Sequence, residues 1–199
     1  LGKSTAIYYC TKCEAYFENP KPSEQELSKF YGNDYFKNVS RDKLLAFLKS
    51  EMTPMRAASQ YRFISEKTRL GAGSKVLEIG AADGSLLSRF KKRGFEVRGL
   101  EYNQYMIETA RKKYGIKLET ADFMAADFDE QFDLVIMSHV LEHFRDPLAL
   151  LEKCRGIIAP GKYLFLEVPN SPKPEEADEK TLRHYLETPH LTNYRVKSM

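Results

Sequence analysis

The sequence predicts an α/β domain built on a doubly wound, mostly parallel sheet with a small N-terminal appendage, and three observations carry that expectation. Short apolar runs alternate with segments of helical periodicity between residues 73 and 170, the pattern of parallel strands joined by crossover helices. The first run, Val76-Leu77-Glu78-Ile79, feeds directly into the turn Gly80-Ala81-Ala82-Asp83-Gly84. Ahead of the alternation, residues 1–36 are aromatic and rich in turn formers, with Cys10 and Cys13 in a C-x-x-C pair.

Each element follows from its residues in order. Residues 1–36 read as a small module and connector, carrying Cys10-Thr11-Lys12-Cys13, Asn19-Pro20-Lys21-Pro22 and Tyr31-Gly32-Asn33-Asp34-Tyr35-Phe36. The second unit is 37–199. Within 42–70, Leu44, Leu45, Phe47 and Leu48 and then Tyr61, Phe63 and Ile64 recur at helical spacing, broken at Thr53-Pro54, so two helices precede the sheet. The sheet core is expected within 73–170. Strand 75–79 leads to helix 85–92 ended at Gly94, strand 96–100, helix 104–114 closed by Gly115 and strand 117–120. Strand 132–137, helix 147–154 closed near Gly156 and strand 163–168 complete the series. Residues 169–180, with three prolines and an acidic run, read as a mobile loop, and a helix is expected over 179–186.

Composition narrows the function. Of 199 residues, 42% are hydrophobic and 30% charged, which places the chain among ordinary globular proteins. Apolar runs fall well short of the roughly 20 residues that cross a bilayer, so no membrane partner is expected. The net charge of +3 is mild, and its clusters, Lys91-Lys92-Arg93 and Arg111-Lys112-Lys113, fall where helices end and favour the helix dipole; no nucleic-acid partner is expected. Three cysteines without a secretory signal fit a reducing, cytoplasmic setting.

A strand, a glycine-bearing turn and a helix place backbone amides at the carboxyl edge of a parallel sheet, where ligands bind. The glycines at 80 and 84 miss the G-x-G-x-x-G spacing of dinucleotide enzymes. Glu101, about twenty residues after the turn, suits the two hydroxyls of a ribose. Asp122-Phe123 offers a carboxylate for an exocyclic amine and a ring for an adenine face. Three strand ends thus converge on one nucleoside.

These stretches resemble the class I S-adenosylmethionine-dependent methyltransferases over about residues 73–170. The run from Val76 to Gly84 is similar to that family's first motif, Arg98-Gly99-Leu100-Glu101 to its second, and Ala121-Asp122-Phe123 to its third. Phe132 to His143 is similar to its fourth strand and the segment after it, and Ala159-Pro160-Gly161-Lys162-Tyr163-Leu164-Phe165 to the turn into its fifth. The resemblance implies a Rossmann-like sheet lacking the family's last two strands, and an enzyme that transfers a methyl group from S-adenosylmethionine to a small-molecule acceptor, leaving S-adenosylhomocysteine. It implies cofactor contacts from Glu78, Gly80, Ala81, Ala82, Gly84, Glu101, Tyr102, Asp122, Phe123, Ser138 and His139. Tyr61, with Tyr31, Tyr35 and Phe36, is expected to form a lid over the methionine end. Ala82 stands where the family has glycine, and its methyl would crowd the cofactor.

His139-Val140-Leu141-Glu142-His143 matches H-x-x-E-H, a zinc-protease pattern, but that chemistry needs both histidines on one long helix, whereas these follow a strand. Methyl transfer to a hydroxyl calls for a proton acceptor, and a histidine with an ordinary pKa of ~6.5 serves, so His139 and His143 are the candidate bases for an O-methyltransferase. An amine or carbon acceptor is the alternative, as is a cofactor-binding regulatory domain without catalysis. A nucleic-acid methyltransferase would carry an Asn-Pro-Pro-Tyr-like tetrad where this chain has Ser138-His139-Val140-Leu141. Cys10-x-x-Cys13 has the bite of a zinc knuckle, and with the segment from Asn19 to Phe36 it resembles methyltransferases that carry an N-terminal zinc ribbon, here cut within the ribbon. Zinc is expected only in a longer protein, and Cys154 reads as a core residue.

Overall fold

Val76, Leu77, Leu134, Val135, Ile136 and Met137 have no exposed surface, because the strands that carry them are covered on both faces. The structure, a computed structural model, describes residues 6–29, 54–176, 178–180 and 190–195. Its elements run β1 (Ala6–Tyr9), β2 (Tyr16–Asn19), α1 (Glu24–Lys29), α2 (Pro54–Lys67), β3 (Lys75–Ile79), α3 (Ser85–Lys91), β4 (Glu96–Leu100) and α4 (Gln104–Thr109), which continues as a π turn, Ala110–Tyr114. Then come β5 (Phe132–Ser138), a 3₁₀ turn at Leu141–His143, α5 (Pro147–Ile157), β6 (Ile158–Glu167), a 3₁₀ turn at Pro174–Glu176 and β7 (Thr192–Asn193).

The central sheet is parallel in the order β4-β3-β5-β6. One face is covered by α2 and α3, through Ala57, Ile64, Leu86, Leu87 and Phe90. The other is covered by α5, through Leu150, Cys154 and Ile157, together with Leu141 and Tyr194. Burial of each such aliphatic side chain contributes about 1.5–3 kcal/mol, so apolar runs on β3 and β5 set the centre of the sheet. The doubly wound architecture read from the alternation is the observed one.

Three expectations are corrected. The strand expected over 117–120 is reduced to a bridge between Glu119 and Leu100. Its hydrogen bonds run from Glu101 N–H to the Glu119 carbonyl at 3.0 Å and from Glu119 N–H to the Gly99 carbonyl at 2.9 Å. Pairing stops there because the chain turns at Asp122, whose carbonyl accepts from Ala125 and Ala126. The strand expected over 163–168 starts at Ile158, and its register jumps from Phe132↔Ile158 to Leu134↔Tyr163. Residues 159–162 bulge because Pro160 has no N–H to give and Gly161 is left-handed, with φ 75°. The segment from 170 to 176 is no free loop: Ser171 N–H bonds the Tyr194 carbonyl at 2.9 Å, Arg195 donates to the Ser171 carbonyl at 2.7 Å, and the Tyr16 hydroxyl donates to the Pro172 carbonyl at 2.9 Å.

β1, β2 and β7 form a separate antiparallel sheet, with Tyr16↔Asn193 and Phe17↔Thr192 in register. The N-terminal hairpin is thereby stitched to a segment nearly the whole chain away. The first of the two expected N-terminal helices, the lid residues Tyr31, Tyr35 and Phe36, and residues 181–186 of the expected helix lie outside the described residues. Among the described residues no helix is long and apolar enough to cross a membrane.

Candidate functional site

The chain leaves β3 through Gly80, where φ is 70° and an added Cβ would lie 2.7 Å from Val140 Cγ2. Only glycine meets both demands. The N–H groups of Gly80 and Ala81 bond the Leu100 carbonyl, each at 2.9 Å, which seats the turn on the end of β4. Ala82 is left-handed at φ 45°, and its N–H donates to Glu101 Oε2 at 2.9 Å. Glu101 Oε1 accepts from Asn103 N–H at 2.8 Å, so one carboxylate clamps the turns after β3 and β4. The carboxylate has four acceptor positions in all, so it can also receive a ligand hydroxyl.

The turn also buries carboxyl groups. Glu78 and Asp83 are 5% and 1% exposed, and Glu78 Oε2 and Asp83 Oδ2 have no hydrogen-bond partner. Burial pushes the Glu78 carboxyl well above the ordinary range, and the charges of Asp83 and Glu101 add to the shift. Burial also raises Glu101, against the opposing N–H groups of Asn103, Ala82 and Tyr102. Ionised carboxyl groups buried with one oxygen unpaired are costly, and a cationic ligand offsets the cost. The chemistry of these residues fits S-adenosylmethionine, with its sulfonium, ammonium and ribose diol: the unpaired carboxyl oxygens would suit the positive groups and Glu101 the diol.

A cavity opens at this edge, lined by Glu78, Gly80, Ala81, Ala82, Glu101, Tyr102, Asp122, Phe123, Ser138, His139 and His143, so most of the residues expected at the site are brought together. Three are placed differently. Tyr61 packs edge-on against Phe90 at 4.9 Å and under the Arg93 guanidinium at 4.3 Å, within the core rather than over the cavity. Its helix turns Arg56, Ala57 and Gln60 to the cavity instead. Gly84 starts α3 and packs against Ala110 and Ile116, off the cavity wall. Phe123 lines the cavity but is 2% exposed, its ring engaged by Phe128 at 5.6 Å and Lys153 at 5.4 Å. The exposed ring here is Tyr102, whose phenol is pushed up to about 12 by burial and the neighbouring Asp122.

His139 is left-handed at φ 55° and held by its N–H on the Glu167 carbonyl at 2.8 Å, with its imidazole 38% exposed. His143 follows after a single 3₁₀ turn, so the histidines do not share a long helix as a metalloprotease requires. Ser138 Oγ donates to Glu167 at 2.9 Å and accepts from Arg56 at 3.0 Å and Gln60 at 2.9 Å. Burial raises Glu167, but Gln60, the Arg56 charge and Ser138 outweigh it and hold the carboxyl below its usual range. Arg56, Gln60, Glu167 and Asp83 escaped the sequence reading. Their one signal was the i, i+4 spacing of Arg56 and Gln60. Phe17, Glu18, Asn19, Pro20 and Lys21 of the hairpin also line the cavity, which no local pattern announces.

Cys10 and Cys13 sit in the hairpin turn, where Cys13 N–H approaches Cys10 Sγ at 3.5 Å. Backbone N–H groups of Cys13 and Lys12, with the Cys13 side chain, lower the Cys10 thiol. Cys154 is fully buried and its thiol is raised to about 11 by burial, as a core residue would be.

Residues 50–198 match the methyltransferase domain family, which is three quarters of the chain. The ubiquinone biosynthesis O-methyltransferase of Stutzerimonas stutzeri is 33% identical over 130 residues, covering 61% of this chain and 56% of that protein. The Proteus mirabilis protein of the same name is 29% identical over 135 residues, covering 63% and 55%. The chain therefore spans about half the length of these relatives. Among solved structures, the YcgJ protein of Bacillus subtilis aligns with a TM-score of 0.57 at 16% identity, covering 70% of this chain and 63% of that one. The SAM-bound amino pentose methyltransferase CalS10 of Micromonospora echinaspora aligns with a TM-score of 0.52 at 22% identity, covering 72% and 59%. These structural likenesses establish the fold, and the family match establishes the kinship: the chain belongs to the methyltransferase domain family, of the class I, S-adenosylmethionine-dependent kind.

Proposed function

We propose that this chain carries out methyl transfer to a hydroxyl of a small-molecule acceptor, as a cytoplasmic enzyme. The observation that carries the reading is the convergence, in one cavity, of the carboxyl-bearing turn at Glu78 to Asp83 with the imidazoles of His139 and His143. The relatives named O-methyltransferases favour oxygen over nitrogen or carbon.

When bound, the cofactor supplies an activated methyl group on a positively charged sulfur, already joined to its leaving group. The chain's own residues do the rest. Glu78 and Asp83 would compensate the positive charge, Glu101 would hold the ribose, and Asp122 with Tyr102 would hold the adenine. Ser138 is oriented by Arg56, Gln60 and Glu167 at the mouth of the central strands. His139 and His143 take the proton as the acceptor oxygen becomes nucleophilic, and the cavity walls exclude water. Cys10 and Cys13 we assign to half of a structural zinc site whose other ligands lie outside the described residues.

The test uses methyl-labelled S-adenosylmethionine with a panel of phenols, catechols, sugars and amines. The reading expects label on a hydroxyl product and a loss of about 10²–10⁴-fold in a His139→Ala, His143→Ala double variant, the range for removing a general base. Undiminished turnover in that variant removes the histidines from the chemistry, and label on amines alone makes the acceptor nitrogen.

A further inference from the structure

Beside the cavity, one ligand atom each from Glu142, His143 and His190 lies within 4.8 Å of the other two. Glu142 has no exposed surface, and neither of its carboxylate oxygens accepts a hydrogen bond. Among the described residues its cationic candidates are His139 Nδ1, 3.4 Å from Oε1 but outside hydrogen-bond geometry, and His190 Nε2 at 4.0 Å. A carboxylate wholly removed from water with nothing donating to it is a severe local cost, and it is normally answered by a cation.

The neighbours deepen the deficit. His190 Nδ1 lies 3.2 Å from Asn193 Oδ1, and in the tautomer that carries its proton on Nδ1 the ring donates to that oxygen and leaves Nε2, 4.0 Å from Glu142 Oε1, as the ligating nitrogen. A histidine whose far nitrogen is pinned by an amide oxygen is the usual form of a metal-ligating imidazole. His143 packs edge-on against His190, ring centroids 4.9 Å apart. The backbone fixes the pair of segments: Leu191 N–H bonds the Glu142 carbonyl at 2.8 Å, and Asn193 is paired with Tyr16 across β7 and β2.

We propose that Glu142, His143 and His190 form a binding site for a divalent transition-metal ion of the zinc class. Two imidazoles and one carboxylate are a donor set this class takes, with a coordination position left open. Bond lengths of about 2.0–2.2 Å require donor atoms about 3–3.5 Å apart, so side-chain rotations of about an ångström close the site. His143 also lines the cavity, which puts the open position on the acceptor side. On the O-methyl transfer reading, an ion held here would lower the pKa of the acceptor hydroxyl, and the proton would then pass to His139 alone, because His143 would be engaged as a ligand.

Cobalt(II) is the probe, titrated into the chelator-stripped protein and into a Cys10→Ser, Cys13→Ser variant, which removes the thiolates. The site predicts one cobalt per chain in that variant, with visible d–d bands and no thiolate charge-transfer band. Glu142→Gln, which keeps the side chain's shape while removing its buried charge, and His190→Ala each weaken binding at least tenfold. Asn193→Ala, which leaves all three ligands in place, weakens it roughly 10–100-fold. No cobalt in the cysteine-free variant, or equal binding in the three ligand-site variants, overturns the proposal. Because cobalt binding is read without turnover, it stands or falls apart from the methyl-transfer reading; loss of labelling on chelation and recovery with zinc would join the two.

Discussion

Glu78 is the residue at which stability and function oppose each other. Its folded pKa lies above its unfolded one, so between the ordinary carboxylate range and that raised value the folded state holds the extra proton. The ligand-free domain is therefore expected to lose stability as pH rises through that window, with the full deficit above it. Glu78→Gln removes this dependence and the repulsion with Asp83 and Glu101, so the variant gains stability over the wild type as pH rises through that window. Thermal melts across pH check this: the variant should melt higher without cofactor yet bind S-adenosylmethionine at least tenfold more weakly. Ala82 carries a second strain, since a left-handed alanine costs roughly 1–2 kcal/mol. Ala82→Gly recovers that, less about 0.4–1 kcal/mol of unfolded-chain entropy, so a net gain of up to about 1.5 kcal/mol is expected in denaturant unfolding. The methyl group thus stands as a cost to the turn, whatever it does to affinity.

At the scale of elements, the clamp between β3 and β4 depends on how α4 begins. Asn103 caps that helix, its side-chain oxygen accepting from Tyr105 and Met106 N–H at 2.9 and 3.2 Å. Asn103→Ala is expected to cost about 1 kcal/mol of stability. Cofactor affinity should fall less than in Glu101→Ala, because Asn103 holds Glu101 through its backbone N–H, which alanine keeps. Comparing unfolding and calorimetry for the two variants separates cap from clamp. These elements were legible because buried parallel strands must be apolar on both faces and the helices between them on one. The failures have physical causes too. Tyr61 shares a helix face with Ala57 and Ile64, and packing against Phe90 prevailed over the pull of its hydroxyl toward a ligand. The short pairing at Glu119 is set by where the chain turns at Asp122, and the bulge at 159–162 by Pro160 and Gly161 inside a strand whose pairing resumes beyond them, neither of which an apolar pattern reveals.

The whole molecule is closed by contacts that no local pattern encodes. Strands of four and two residues, β2 and β7, pair across most of the chain and carry the hairpin to the cavity and Asn193 to His190. Arg195 fastens this closure, bonding Glu14 at 3.2 Å and the Ser171 carbonyl at 2.7 Å. Arg195→Ala is expected to speed amide exchange at Thr192 and Asn193 while leaving β3 and β5 protected, because the two sheets are separate cooperative units. Equal loss of protection in the parallel sheet would show instead that the hairpin supports the core.

The central claim is that the turn from Glu78 to Asp83, clamped by Glu101, holds S-adenosylmethionine. Calorimetric titration of the cofactor into the wild-type chain and Glu101→Ala tests it directly. The account predicts saturable one-to-one binding, weakened by roughly tenfold to a hundredfold in the variant, the worth of about 1.5–3 kcal/mol for hydrogen bonds to a charged group. No heat at millimolar cofactor, or equal affinity in the two proteins, would contradict it.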